Sequence, residues 1–242
     1  MKKLVLLLLL GLISVANIQA QDEKKEYFDL LMLYLDADYE KLLKKAEKYM
    51  DNDKTRKDAL PYLYAAMGYF DIKDNEELSE VYKNPLRESL KLATKFVRYD
   101  RTNAYAEEGD DFIAKLRAEI KNEAIFELKE GKDSRAQYYF KQLLRLDEND
   151  YSVIYMQLQL AAREGDTYTQ NEMQAEFNRM IENVTDWSKE ASDKKNFLEY
   201  AMLEHADYLK EKGRTDAALK VVTQLEKFVG VTAKTTEFKK SN

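Results

Sequence analysis

Apolar residues return along much of this chain at intervals of four, three and four, the spacing that gathers side chains onto one stripe of an α-helix. After Gly131 the stripe is Ala136, Phe140 and Leu143, with Asp147 closing it, so residues 134–146 read as an amphipathic helix. The same offsets from Gly213 give Ala218, Val222 and Leu225, and from Ala37 they give Leu42, Ala46 and Tyr49 before Asp53. After Gly165 the set is Met173, Phe177, Met180 and Val184, displaced three residues along the chain. Ser89, Ala93 and Phe96 repeat the interval in a helix over 86–99, for which Asn84 supplies an N-cap and Pro85 a first helical residue.

Each of these helices is preceded by another apolar-periodic stretch that can serve as its antiparallel partner. Those stretches are 26–35, 60–70, 112–129, 152–163 and 197–210, which gives about five helix pairs. Two helices that cross closely need a small residue at the crossing, and Gly68, Ala124 and Ala206 stand where it is expected, with Leu30 and Leu158 in the corresponding places elsewhere. Residues 71–83 are long and polar for a turn, and are expected to hold a short helical piece or an extended excursion. The tail, 231–242, is polar and Lys-bearing and is expected to fray.

Composition narrows the class. Two prolines and seven glycines leave little material for the turns of an all-β fold, and the expectation is all-α. A formal charge of −6 and the absence of a basic run argue against nucleic acid or an anionic membrane surface as partner. With no cysteine the chain has no disulfide, no thiolate metal site and no lipid-acceptor Cys of a bacterial lipoprotein. Met1-Lys2-Lys3 is followed by an apolar run from Leu4 to Ala16, too short for the roughly 20 residues of a membrane span and within the about 7–15 of a signal-peptide core. Residues 1–20 are therefore expected to be a signal peptide with its boundary at Ala20/Gln21. Export to the periplasm or beyond the cell, with no membrane span after cleavage, is the corresponding localisation.

Gly131 and Gly165 lie 34 residues apart in the near-identical settings Lys129-Glu130-Gly131-Lys132-Asp133 and Arg163-Glu164-Gly165-Asp166-Thr167, and Glu211-Lys212-Gly213-Arg214-Thr215 forms a third copy. The stretch from Asp36 to Ala46, with Ala37 ahead of Tyr39 and Leu42 ahead of Ala46, and the 120–148 stretch, with Gly131, Ala136, Phe140 and Leu143, resemble the turn and second helix of a tetratricopeptide repeat, whose period is 34 residues. The resemblance implies an antiparallel helix-pair solenoid, a right-handed superhelix over 21–230 followed by the tail. It also implies a non-catalytic protein–protein interaction scaffold or adaptor of the cell envelope, holding another protein or peptide in a groove lined by the first helix of each pair. Transferring that pattern by offset from each turn selects Tyr27, Tyr34, Lys121, Lys129, Tyr155, Gln159, Arg163, Tyr200, Asp207 and Lys210 as partner-binding residues. Tyr and Arg suit such a surface because each buries much area while keeping a polar end. A glycan or small ligand facing the tyrosines is the alternative occupant, and self-association through the end helices is compatible with the same scaffold.

Candidate chemistry is sparse, and no enzymatic role or cofactor is expected. His205, the only histidine, follows Met202 by three residues and precedes Leu209 by four, which places it on a packing stripe without a Cys or second His to act with. Asp51-Asn52-Asp53 and Asp147-Glu148-Asn149-Asp150 begin as calcium loops do, but the sixth and twelfth positions hold Arg56 and Tyr62 in one and Ser152 and Leu158 in the other, where Gly and Glu are required. Neither is a metal site. The run Glu107-Glu108-Gly109-Asp110-Asp111 reads as the solvated start of a helix, where carboxylates suit the dipole.

Overall fold

Asp38, Asp150 and Asp166 each turn a carboxylate back onto backbone N–H groups two or three residues on, and each starts a helix. The structure, a computed structural model, describes residues 26–241; the expected signal peptide lies outside them. Twelve helices and no strand occur among the described residues. They are α1 Phe28–Leu35, α2 Tyr39–Asp51, α3 Ala59–Ile72, α4 Glu76–Val81, α5 Pro85–Tyr99 and α6 Ala106–Lys129. These are followed by α7 Asp133–Leu146, α8 Tyr151–Glu164, α9 Thr167–Glu182, α10 Ser192–Glu211, α11 Thr215–Val229 and α12 Ala233–Lys240.

Packing follows the apolar stripes. The pairs are α1 with α2, α3 with α5, α6 with α7, α8 with α9, and α10 with α11, and successive pairs meet chiefly through α2 on α3, α5 on α7 and α8 on α10. Leu42, Ala46, Ala93, Ala136, Phe140, Leu143, Phe177, Ala218, Val222 and Leu225, all on the expected stripes, are buried. Helices whose two sides both face neighbours lose their amphipathic contrast, and α3 shows it: its run from Ala59 to Ala66 is buried on every side. At the N-terminal end, α1 leaves Phe28, Met32 and Leu35 exposed along its outer face.

Tight turns within the pairs fall where the offsets put them. Gly131, Gly165 and Gly213 have φ of 69°, 75° and 71°, and Ala37, in the equivalent place, is held at φ 54° despite its Cβ. Gly68 lets α2 approach, since a Cβ there would meet Leu42 Cδ2 at 3.0 Å.

Several expectations need correction. Asn84 does not cap α5 with its side chain; it sits in the left-handed region at φ 54°, turning the chain ahead of Pro85. Of the two conformations expected for 71–83, the short helical piece is the one found: α4, started by Asn75, whose side chain accepts from Leu78 N. Gly109 is not solvated: α6 begins at Ala106, and a Cβ at Gly109 would lie 2.7 Å from the Phe96 ring. The tail does not fray at once, because Thr232 and Thr235 form a reciprocal capping box and Phe238 buries its ring against the α10–α11 pair.

Candidate functional site

The C-terminal end of α6, the start of α7, the C-terminal half of α8 and the middle of α10 enclose a cleft of about 340 Å³. Four of the residues chosen by offset line it: Lys129, Gln159, Arg163 and Tyr200. Each sits on the first helix of its pair, and the offset rule reaches them because it is anchored on the left-handed turns that follow those helices.

Tyr200 forms one wall, half-buried, with Lys129 Nζ 6.0 Å from its ring centroid and the Phe197 ring stacked on it at 6.4 Å. Burial and the neighbouring Glu204 carboxylate push its phenol up to about 12, so it remains a neutral hydrogen-bonding group. Arg163 is fixed across the α8–α10 seam, its Nη2 donating to both the backbone oxygen and the Oε2 of Glu204 at 2.9 Å. Gln159, on the same face of α8 one turn earlier, is only 2% exposed. Its Nε2 donates to Met156 Sδ at 3.0 Å, and its Oε1 has no hydrogen-bond partner among the described residues.

The remaining residues selected by offset lie elsewhere. Tyr27 is buried at the N-terminal end, its hydroxyl donating to Asp58 Oδ2 at 2.5 Å. Tyr34 is half-buried beside Tyr39, with ring centroids 6.4 Å apart. Tyr155 is a core residue: its hydroxyl is 2.9 Å from His205 Nδ1 and its ring packs edge-on against Phe177. Burial, with Arg163 and Arg214 nearby, pushes His205 down to about 4, so the imidazole is neutral at pH 7. Asp207 is exposed away from the cleft, and Lys210 reaches the C-terminal segment, donating to the Ser241 backbone oxygen at 3.2 Å.

Lys121 requires the largest revision. Its ammonium is buried between Asp150 Oδ2 at 2.7 Å and Asp193 Oδ2 at 2.9 Å, and so it cannot face a partner. Arg117, one turn earlier, bonds Asp193 and Asp147, and Lys194 also pairs with Asp147 at 2.6 Å. Three cations and three carboxylates thus join α6, the α7–α8 turn and the start of α10. Burial disfavours the Asp193 anion, but Lys121 and Arg117 overcome it and hold the carboxyl below its ordinary value. The acidic turn weighed as a calcium loop is instead the anionic part of this network.

Cleft residues that the offsets missed are Leu128, Asp133, Gln137, Leu160, Glu164 and Glu204. Asp133 and Gln137 belong to a second helix, which a rule restricted to first helices passes over. No group of three or more His, Asp or Glu among the described residues is arranged to hold a metal ion, and no described helix is long and apolar enough to cross a membrane. Comparison with family models, with curated proteins and with solved structures returned no match.

Proposed function

We propose that this protein is a non-catalytic interaction scaffold of the cell envelope, a tetratricopeptide-like solenoid that holds a segment of another protein in the cleft lined by Lys129, Gln159, Arg163 and Tyr200. The observation that carries this reading is that one cleft draws residues from the first helices of three successive pairs, α6, α8 and α10. The glycine turns with positive φ and the five pairs support a repeat architecture, in which such a seam is the natural place for a partner. The wall chemistry supports a binding role: a neutral tyrosine and an arginine already ordered by Glu204 offer contacts that cost little side-chain ordering, and the exposed Lys129 adds a cation.

Export rests on the apolar run Leu4 to Ala16 and the small residue at Ala20. Partner recovery from envelope extract tests the cleft. Protein carrying Lys129→Glu with Tyr200→Ala is compared with the unaltered protein and with Tyr34→Ala, which lies outside the cleft. Loss of the partner in the first variant alone is expected. Equal recovery by all three removes the cleft from the account.

A further inference from the structure

The two ends of the series of helix pairs differ in what they show to solvent. At the C-terminal end α12 seats Phe238 inward and turns Lys234, Glu237, Lys239 and Lys240 out, a polar cap of the kind that the end of a stack of packed pairs requires. At the N-terminal end α1 buries Leu30 but leaves Phe28, Met32 and Leu35 64%, 54% and 66% exposed. Those three recur at intervals of four and three and so form one stripe, and no other helix among the described residues exposes three large apolar side chains. Together they present roughly 350 Å² of apolar surface, within the range of about 300–600 Å² at which a monomer's largest patch is often functional. The charges beside the stripe are already matched: Asp29 is held by Lys45 and by the Tyr49 hydroxyl, and Asp38 by Lys41. Glu26 and Asp36, both exposed, stand at its two ends.

We propose that this face is covered by the same face of a second copy of the chain, in a reversible two-fold dimer joined at the N-terminal ends. Met32 lies midway between Phe28 and Leu35, so a two-fold axis beside it sets Met32 against its own counterpart and Phe28 against Leu35 of the partner subunit, apolar on apolar throughout. A partner chosen by charge would need a field of one sign here, and the internal pairing of Asp29 and Asp38 removes it. Two like faces therefore approach without stranding a buried charge, while Glu26 and Asp36 stay at the wet rim. Area sets the strength. The two stripes bury roughly 700 Å² between them, short of the about 1,200 Å² of a stable complex, so the dimer forms and dissociates with concentration in the micromolar range. None of the three residues lines the cleft, and the dimer leaves both clefts open.

Sedimentation velocity of the purified protein from about 1 to about 200 μM tests the association, with a monomer–dimer equilibrium expected inside that range. Met32→Glu, at a position more than half exposed, is expected to leave the melt of dilute protein unchanged and to weaken the dimer about tenfold or more, because it sets two carboxylates beside the axis. A second variant reads the geometry. The chain has no cysteine, so Met32→Cys carries its only thiol, and beside the axis that thiol meets its counterpart within the roughly 7 Å Cα separation that a disulfide allows. Copper–phenanthroline oxidation is expected to cross-link Met32→Cys into a dimer and to give only background with Glu172→Cys, exposed on α9. A protein that stays monomeric throughout, a dimer as strong in Met32→Glu as in the parent, or Met32→Cys cross-linking no more than Glu172→Cys would overturn the inference. A face covered by another protein would give the first of these. All three leave the cleft reading standing, since partner recovery tests it separately.

Discussion

Lys121 Nζ lies 2.9 Å from Asp193 Oδ2, a bond between residues 72 positions apart that ties the third helix pair directly to the fifth. Lys121 is 3% exposed at its side chain and Asp150, its other partner, fully buried, so the charges depend on one another for their solvation. Removing the cation strands the Asp150 carboxylate and leaves Asp193 to Arg117 alone. Lys121→Met is expected to cost about 3–5 kcal/mol, the range for breaking a buried pair, and to appear as a large fall in the thermal midpoint. A midpoint indistinguishable from that of the parent would mean the network contributes little.

The same network and the Tyr155–His205 pair respond to acid in different windows. His205 has its folded value depressed from 6.5 to about 4, so the unfolded chain binds the extra proton first. Its contribution is fully present above pH 6.5 and declines as pH falls, by about 3 kcal/mol at pH 4. Asp193 is also depressed, below 3.8, and its contribution is lost only as pH falls through that lower value. Chemical denaturation at about pH 7, 5.5 and 4 is expected to show falling stability in the parent and a flatter profile in His205→Gln. Parallel profiles for the two proteins would count against a buried neutral imidazole.

Turn residues with positive φ make a matched set. At Gly131, Gly165 and Gly213 a Cβ would have nothing within 4 Å, so an alanine there meets backbone cost alone, roughly 1–2 kcal/mol. Ala37 already bears that cost at φ 54°. Ala37→Gly is expected to be neutral to slightly stabilising, within about 1 kcal/mol, because glycine's looser unfolded state offsets part of the relief. Denaturant midpoints of the four variants check the contrast in sign.

Close packing at Gly109 predicts a different outcome from the turn glycines. A Cβ there falls 2.7 Å from two atoms of the Phe96 ring, a group that cannot simply swing aside in a filled core. Gly109→Ala is expected to destabilise by about 1–3 kcal/mol. Pairing it with Phe96→Leu should recover part of the loss, and a double-mutant cycle in thermal melts measures the coupling.

Most of the helix pairing was legible because burial enforces the 3.6-residue period, and Phe140, Val222 and Leu42 stand on stripes that the offsets mark. Ala37 was legible as a turn because it occupies the glycine's place, although its residue type argues against the left-handed region. The ion network was not legible. Arg117 and Asp193 are 76 positions apart, and local spacing carries no record of such a partner. The same limit put Lys121 and Tyr155 in the groove: the offset places a residue on the correct helix, but only the neighbouring pair decides whether that face is open or covered. Two short elements, α4 and α12, are held by caps at Asn75 and Thr232 and by a few contacts, too brief for periodicity to register.

Site-specific photo-crosslinking in cells tests the central claim most directly. A benzophenone amino acid at Lys129, in the mouth of the cleft, is compared with one at Glu172, exposed on the second helix of the fourth pair. The account predicts a discrete partner adduct from position 129 and none from 172, and its loss when Tyr200→Ala is added. An adduct that forms equally from both positions, or from 172 alone, would contradict it.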